Sequence, residues 1–528
     1  MWRSFHFACC AVEIAHRNDW SPRLSARLLR LVASPIGSSP TMTSVEAEFV
    51  VVGSGSAGSA VVGRLVEAGR DVILLEAGPD YGSADSGRWP AELLDARMLA
   101  NSHDWGYQGD RWTFERARVI GGCSSHNGAI AAVGHHADYD GWGLPGWSAA
   151  DVAPLFDEVI RRLRVRSYDR SEAVPFHAQC VDAAEAIGWR IASDLCDVNA
   201  NDAFGMESIN VVGTTRWNAA FAYLDPVRDW PNLRIVDDVL VDRVVDTPHG
   251  ATVNAVRRGE PIVVRAGTVI LSAGVYGTPA ILQRSGIGAA GLLRELGIPV
   301  IADRPGVGAN LHDHPMFHAD RTVGSQLQDW LDEVATTGFL PEEQTLGKAI
   351  SDQSLDGLYD LHVFPVVGSN QTSMLYGRAT VEVACMTPRS RGSLGIMTRD
   401  PQAHPLIDHG YLTDTDGHDI AVIRDGLRIA NELLDHPLVA GLVGEPLTDG
   451  STDEAIRSQV AHYYHPVGTC RMGRSDDPLA VCDERGGVIG VHNVVIADAS
   501  LIPQIPRANT NLPTVMIGER IAATLISM

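Results

Sequence analysis

Residues 121–130 read GGCSSHNGAI and set a histidine, His126, beside Asn127 and just past the glycine pair Gly121 and Gly122. An imidazole in that setting can be a packed side chain, a metal ligand, a base or a point of covalent attachment, and the stretch alone does not choose among them. Cys123 and His126 form a CxxH pair, but no second pair follows at zinc-finger spacing. His312, His314 and His318 cluster without partners in a recognisable metal pattern, so no metal is expected.

A second group of residues points to phosphate. Gly53, Gly55 and Gly58 satisfy GxGxxG within FVVVGSGSAGSAVVGRLVEAGRDVILLEAG. The first glycine lets the chain turn sharply and the second admits a pyrophosphate close to the backbone. The third lets a helix pack on a strand, with its N-terminus facing the phosphates. Glu76 lies 23 residues after Gly53, where a carboxylate can accept hydrogen bonds from ribose hydroxyls. The elements that must hold these residues are legible. The apolar run 49–52 is too short for a helix, Val61, Val62, Leu65 and Val66 recur at helical spacing, and the run 72–75 is again short. Strand, turn, helix and strand make one βαβ unit and a dinucleotide site; the alternative is a glycine turn that serves packing alone.

At 528 residues the chain exceeds the roughly 250–300 at which one core stops growing, so two domains are expected. Its 45% hydrophobic and 20% charged residues are globular in composition. A formal charge of -23, from 42 Lys+Arg against 65 Asp+Glu, repels nucleic acid and anionic membranes. No apolar run approaches the roughly 18 residues of a membrane span, so a soluble protein with a small ligand is expected. Eight cysteines without a CxxC pair suggest reduced thiols and a cytoplasmic location. Residues 1–41 form a basic, acid-poor leader without a clean apolar region and cleavage site, and Met42 then opens MTSVEAEFVVVG like a natural start. A mis-assigned start or dispensable leader is expected there, with a targeting peptide or structured extension as the alternative.

Farther along, residues 152–163 have the periodicity of a surface helix, and LRIVDDVLVDR (233–243) and IVVRAGTVILS (262–272) read as strands. The second of these runs into AGVYGTPAILQRSGIG, another strand-to-glycine-to-helix junction. Residues 320–380 are the least legible, and part of the substrate region is expected there. Near the end, 494–496 reads as a short strand followed by Asp498, and 512–526 as a closing helix with Pro513 in its first turn.

In order, GSGSAG with LLEAG, RARVIGGCSSHN, AGVYGTPAILQRSGIG, PGVGANLHDHP, HPVGTCRMG, ADASLIP and NTNLPTVMIGE resemble the glucose-methanol-choline (GMC) oxidoreductase family over residues 46–526. The resemblance implies an α/β protein: a discontinuous, Rossmann-like FAD-binding domain (46–150, 211–319 and 456–528) and an α+β substrate domain with an antiparallel sheet (151–210 and 320–455). It implies that Gly53, Gly55 and Gly58 hold the FAD pyrophosphate and Glu76 the adenosine ribose. Arg118, Gly121, Gly122 and Asn127 belong to a segment running past the flavin, and Asp498 is a flavin-contacting acid. The catalytic pair would be His465 and Asn509, in an alcohol oxidase or dehydrogenase. Oxidising an alcohol removes a proton from oxygen and a hydride from carbon, so a base must reach the hydroxyl while the carbon faces flavin N5. His465 can take that proton and Asn509 can orient the oxygen.

GGCSSHN further resembles bacterial choline oxidases, in which the histidine at this place is joined to the flavin 8α-methyl carbon. That implies covalent FAD through His126, with simple packing of His126 on the ring as the alternative. Other positions depart from that pattern. Met316, after His314 and Pro315, stands where those enzymes place a glutamate facing the trimethylammonium group, and Gly128 stands for a serine, while His362 matches a histidine that helps position choline. A quaternary ammonium favours aromatic faces with a carboxylate nearby. The expectation is therefore a less polar pocket and an alcohol on a larger organic molecule rather than choline. Oxygen, a quinone, a redox peptide such as mycofactocin or a redox protein could accept the electrons. Tyr463, in place of a smaller residue, argues for a dehydrogenase, and the balance with an oxidase stays open, as does a homodimer. Two other readings are a hydroxynitrile lyase with an idle flavin and a flavin-binding protein without catalysis.

Overall fold

The strand Val45–Val52 is the centre on which the glycine motif is built. It pairs in parallel with Val72–Leu75 on one side and with the C-terminal part of Glu260–Leu271 on the other. Both faces are covered, which explains why Val50, Val51 and Val52 form an unbroken apolar run rather than an alternating one. The computed structural model describes residues 45–97, 99–109, 111–336, 338–368 and 375–528, so the expectation for residues 1–41 lies outside the described residues.

The helix Ser56–Glu67 starts at Gly55 and buries Val61, Val62, Leu65 and Val66. The closing helix Asn511–Ile526 lies against it so closely that a Cβ on Gly518 would come 2.5 Å from the Ala57 carbonyl oxygen. The first sheet runs in the order 233–236, 72–75, 45–52, 260–271, 250–257, 239–247, and Val494–Ile496 adds in parallel to Glu260–Leu271. The stretch expected as one strand over 233–243 is two. Leu233–Val236 pairs in parallel with Val72–Leu75, then Asp238 takes a left-handed φ of 57° and Val239–Thr247 leaves to pair antiparallel with Gly250–Arg257. The surface helix is Ala149–Arg162, held at its start by a Ser148/Asp151 capping box and burying Val152, Phe156 and Val159.

The region of least legible sequence builds most of a second, eight-stranded sheet, antiparallel except at one edge. Its centre is Pro315–Val323, Arg378–Cys385, Leu361–Val367 and Thr345–Ala349. The strands alternate strictly. Leu361, Val363 and Val367, with Ala379, Val381, Val383 and Cys385, face an apolar core under the helices Pro175–Ala186 and His418–Leu434. The intervening residues Met316, His318, Phe364 and Glu382 face a cavity instead. Pro315–Val323 crosses residue 319, and Ala461–His462 pairs with it, so both short segments belong to this sheet. The described residues pack as one compact unit around two large cores.

Candidate active site

A cavity of about 940 Å³ runs from the glycine motif to the second sheet. At one end Gly53, with φ +93°, turns so tightly that a Cβ would meet the Ser272 carbonyl oxygen at 2.4 Å. A Cβ on Gly58 would lie 2.0 Å from the Gly53 oxygen, so this residue packs helix on strand behind the cavity rather than lining it. Gly55 is different: a Cβ there meets nothing nearer than the Gly122 Cα at 4.0 Å, and the residue lines the cavity. As N-cap it supplies no side-chain hydrogen bond, and no acid occupies the first turn. This helix end is therefore suited to an anion.

Glu76 lines the same end. Its Oε2 accepts from the Ser54 N–H at 3.0 Å and the Ser54 hydroxyl at 2.5 Å, and its Oε1 from the Gly78 N–H at 2.8 Å. Burial pushes its carboxyl upward, against the pull of these bonds. Asp498 accepts from the Gly274 N–H at 2.9 Å and the Thr278 hydroxyl at 2.5 Å through Oδ2, and from the Ser500 N–H at 2.8 Å through Oδ1. Arg118 donates to the Ala77 carbonyl at 3.0 Å and lies over the Trp105 ring.

The segment opening with Gly121 and Gly122 locks onto the first turn. The Gly121 N–H donates to the Ser54 hydroxyl at 3.1 Å, and a Cβ on Gly122 would sit 2.6 Å from the Gly55 Cα. Arg216, which sequence reasoning missed, is fully buried and donates to the backbone carbonyls of Leu93, Asp95, Ser125 and Asn127 at 2.6–3.2 Å. His126 and Asn127 are thereby held on the cavity wall. Burial, then the Arg116 and Arg216 charges, push the His126 imidazole down to about 3, so it is neutral.

His465 lines the cavity and is nearly buried. Its backbone N–H donates to Asp313 Oδ1 at 3.0 Å, and its Nδ1 lies 3.2 Å from His314 Nδ1. One of the two Nδ1 atoms carries the hydrogen of this contact; with it on His465, Nε2 remains an acceptor. Burial, then His314, His362 and Arg116, push His465 well below its ordinary value. Asp313 also accepts from the Tyr411 hydroxyl at 2.9 Å, and burial pushes it up to about 6. Tyr464, just before His465, holds a left-handed φ of 63° while its carbonyl accepts from Arg116 at 3.0 Å. Asn509 lines the same cavity, and its Oδ1 is buried without a hydrogen-bond partner.

The far wall corrects the expectation of a less polar pocket. Met316 is there, but so are Glu342, Glu343 and Glu382, with the aromatic rings of Phe364, Tyr463 and Tyr464. Glu382 is brought opposite His318 and Phe364 by strand register, and it pairs with His318 Nδ1 at 3.2 Å. Its place as a polar residue in the alternating run RATVEVAC was the one available sequence signal; Glu342 and Glu343 lie in PEEQT, which has no period.

Known proteins share the family sequence patterns and the fold. Sequence patterns described as GMC oxidoreductase match residues 47–316 and 388–518. The chain is 34% identical over 532 residues to an oxygen-dependent choline dehydrogenase of Sinorhizobium medicae, covering 90% of this chain and 95% of that one. It is 32% identical over 531 residues to the protein of the same description from Brucella canis, with the same coverage. Among solved structures, pyridoxine 4-oxidase from Mesorbium loti superposes with a TM-score of 0.80 at 23% identity, covering 91% of this chain and 99% of that one. Formate oxidase of Aspergillus oryzae does so at 0.79 and 22%, covering 92% and 99%. With both halves of the family pattern matched in order over most of its length, the chain belongs to the GMC oxidoreductase family.

Proposed function

We propose that the protein oxidises an alcohol to an aldehyde or ketone, with His465 as the base and Asn509 orienting the hydroxyl. As a GMC oxidoreductase it uses FAD, and the residues fit that group. Gly55 leaves open the space beside an uncapped helix end, Glu76 and Asp498 line the cavity, and the two glycine turns touch. Bound there, the flavin supplies the hydride acceptor. The chain's own work concerns the proton. A neutral His465 accepts it at a ring nitrogen, and Asn509 holds the oxygen by hydrogen bonding. The observation that carries this reading is that a buried, neutral His465 and Asn509, its Oδ1 unpartnered, open onto one cavity with the glycine motif.

His126 is proposed as the attachment point, since its neutral imidazole is the form able to bond the flavin 8α carbon. Gly53, Gly58, Arg118, Gly121, Gly122 and Asn127 shape the cofactor end. The division into an FAD domain (46–150, 211–319, 456–528) and a substrate domain (151–210, 320–455) is likewise proposed, with the strand Pro315–Val323 and residues Ala461–His462 given to the substrate side. Oxygen is the acceptor to test first, because relatives are described as oxygen-dependent; a quinone, redox peptide or redox protein is the alternative. No helix among the described residues is long and apolar enough to cross a membrane, and the six described cysteines are free, which accords with a cytoplasmic location.

The test is a panel of alcohols read by flavin absorbance under nitrogen and then in air. Bleaching by an alcohol supports the oxidation and excludes a hydroxynitrile lyase or an idle flavin protein. Rapid return of colour in air identifies an oxidase, and slow return a dehydrogenase.

A further inference from the structure

We propose that Cys385, His418 and Asp419 bind a zinc ion, at a site outside the cavity and independent of the alcohol-oxidising reading. Cys385 is the last residue of the strand Arg378–Cys385, and His418 and Asp419 are the first two of the helix His418–Leu434. Residues 386–417 intervene, so no short motif announces the group. In the fold a sulfur, a ring nitrogen and a carboxylate oxygen from the three lie within 4.8 Å of one another, and all three residues are buried. Around a tetrahedral zinc, with bonds of about 2.0–2.3 Å, such atoms sit roughly 3.4–3.6 Å apart, so an inward movement of about 1 Å completes the site.

The histidine supplies the observation that points to a ligand. His418 is only 9% exposed, and its Nε2 is buried without a hydrogen-bond partner among the described residues. A buried ring nitrogen left in that state is costly, and a metal bond relieves the cost. Asp419 accepts from the Arg389 N–H at 2.8 Å through Oδ1 and from the Ser390 N–H at 3.0 Å through Oδ2. These bonds fix the carboxylate and leave each oxygen a further lone pair. The surrounding charge favours a cation, because Asp360 and Asp414 also act on the Cys385 thiol. The nearby arginines are engaged elsewhere. Arg389 pairs with Asp416, and Arg391 donates to the Pro388 and Ser390 carbonyls, Asn310 Oδ1 and Gln504 Oε1 rather than to a carboxylate. Burial, then Asp419, hold the free thiol well above its ordinary value. Zinc reverses that preference: the S–H proton leaves to solvent as the S–Zn bond forms, and a water completes the tetrahedron. Sulfur, nitrogen and carboxylate oxygen together suit zinc, whereas calcium and magnesium take oxygen ligands. The ion fastens the strand that carries Glu382 to the helix behind its sheet.

The test uses the flavin-loaded enzyme, stripped of metal with a chelator, desalted and titrated with zinc chloride by calorimetry in two buffers of different ionisation enthalpy. One zinc per chain is expected, with a dissociation constant of about 1 µM or lower and about one proton released per zinc. The unfolding midpoint should rise with zinc concentration. Cys385→Ala and His418→Gln should each weaken binding about tenfold or more, and the first should also abolish the proton release. Flavin content shows whether each variant is folded, and where one fails to fold the other decides. Asp313, His314 and His465 form another close group of ligand types among the described residues. His465→Gln, which breaks that group, should bind zinc as the wild type does. Absence of binding, unchanged binding in either folded variant, or binding lost in His465→Gln overturns the proposal.

Discussion

Replacing Gly55 and Gly58 separately by alanine should split cofactor binding from folding. At Gly58 the added Cβ would lie 2.0 Å from the Gly53 carbonyl oxygen and 3.1 Å from the Ser272 Cβ. The first of these is backbone and cannot swing away, so the helix Ser56–Glu67 must lift from its strand. Overpacking of that kind costs about 1–3 kcal/mol. At Gly55 the φ of -64° suits any residue and the nearest atom is 4.0 Å off, so the polypeptide itself should lose less than about 0.5 kcal/mol. The methyl would instead occupy the approach of the pyrophosphate to the first N–H groups of the helix. Losing two charge-assisted hydrogen bonds at about 1.5–3 kcal/mol each weakens FAD binding by some 3–6 kcal/mol, or about a hundredfold and more. The assay measures flavin per chain from visible absorbance, together with thermal unfolding of apoprotein expressed under riboflavin limitation. Gly55→Ala should match wild-type apoprotein in stability and be deficient in flavin, whereas Gly58→Ala should fall in both. Full flavin content in Gly55→Ala, or apoprotein destabilised as much as in Gly58→Ala, would refute the reasoning.

Removing the base, His465→Gln, should slow anaerobic flavin reduction by the best alcohol about 10²–10⁴-fold with flavin content unchanged; a loss under about tenfold would take the role away from His465. Acid-precipitated wild-type protein should keep its yellow colour and His126→Ala should release it, and complete release from the wild type would rule out attachment at His126. Fully buried His177 bonds Thr345 Oγ1 at 2.9 Å and the Glu342 carbonyl at 3.0 Å, and burial lowers it to about 4. It stays neutral in the fold but protonates in the unfolded chain below about 6.5, so its stabilisation is present above that value and lost as pH falls toward 4. Between pH 7.5 and pH 5.5 the wild type should therefore lose about 1.3 kcal/mol more than His177→Gln, read from urea midpoints, and parallel losses would contradict the assignment.

The motifs were legible because each has a local cause. GxGxxG with Glu76 specifies a turn, a helix start and an acid within one βαβ unit. The runs at 49–52 and 72–75 are apolar throughout because parallel strands are covered on both faces. Residues 233–243 misled because two strands with opposite pairing follow each other with only Asp237 and Asp238 between them, and a period does not record which neighbour a strand chooses. Residues 320–380 were opaque for a related reason: their alternation has meaning only once one face meets helices and the other a cavity.

By itself the sequence determined the family, the cofactor class and the order of the motifs, since those follow from short segments with their own geometry. Only the tertiary structure decided what lines the cavity. Glu343, Glu382 and Gly128 are distant along the chain, and Met316, taken alone, pointed to an apolar pocket. Strand register and one glycine's missing side chain bring acids into that pocket from elsewhere. The charge of a binding site is a sum over neighbours in space, and such a sum cannot be read from any one position in the chain.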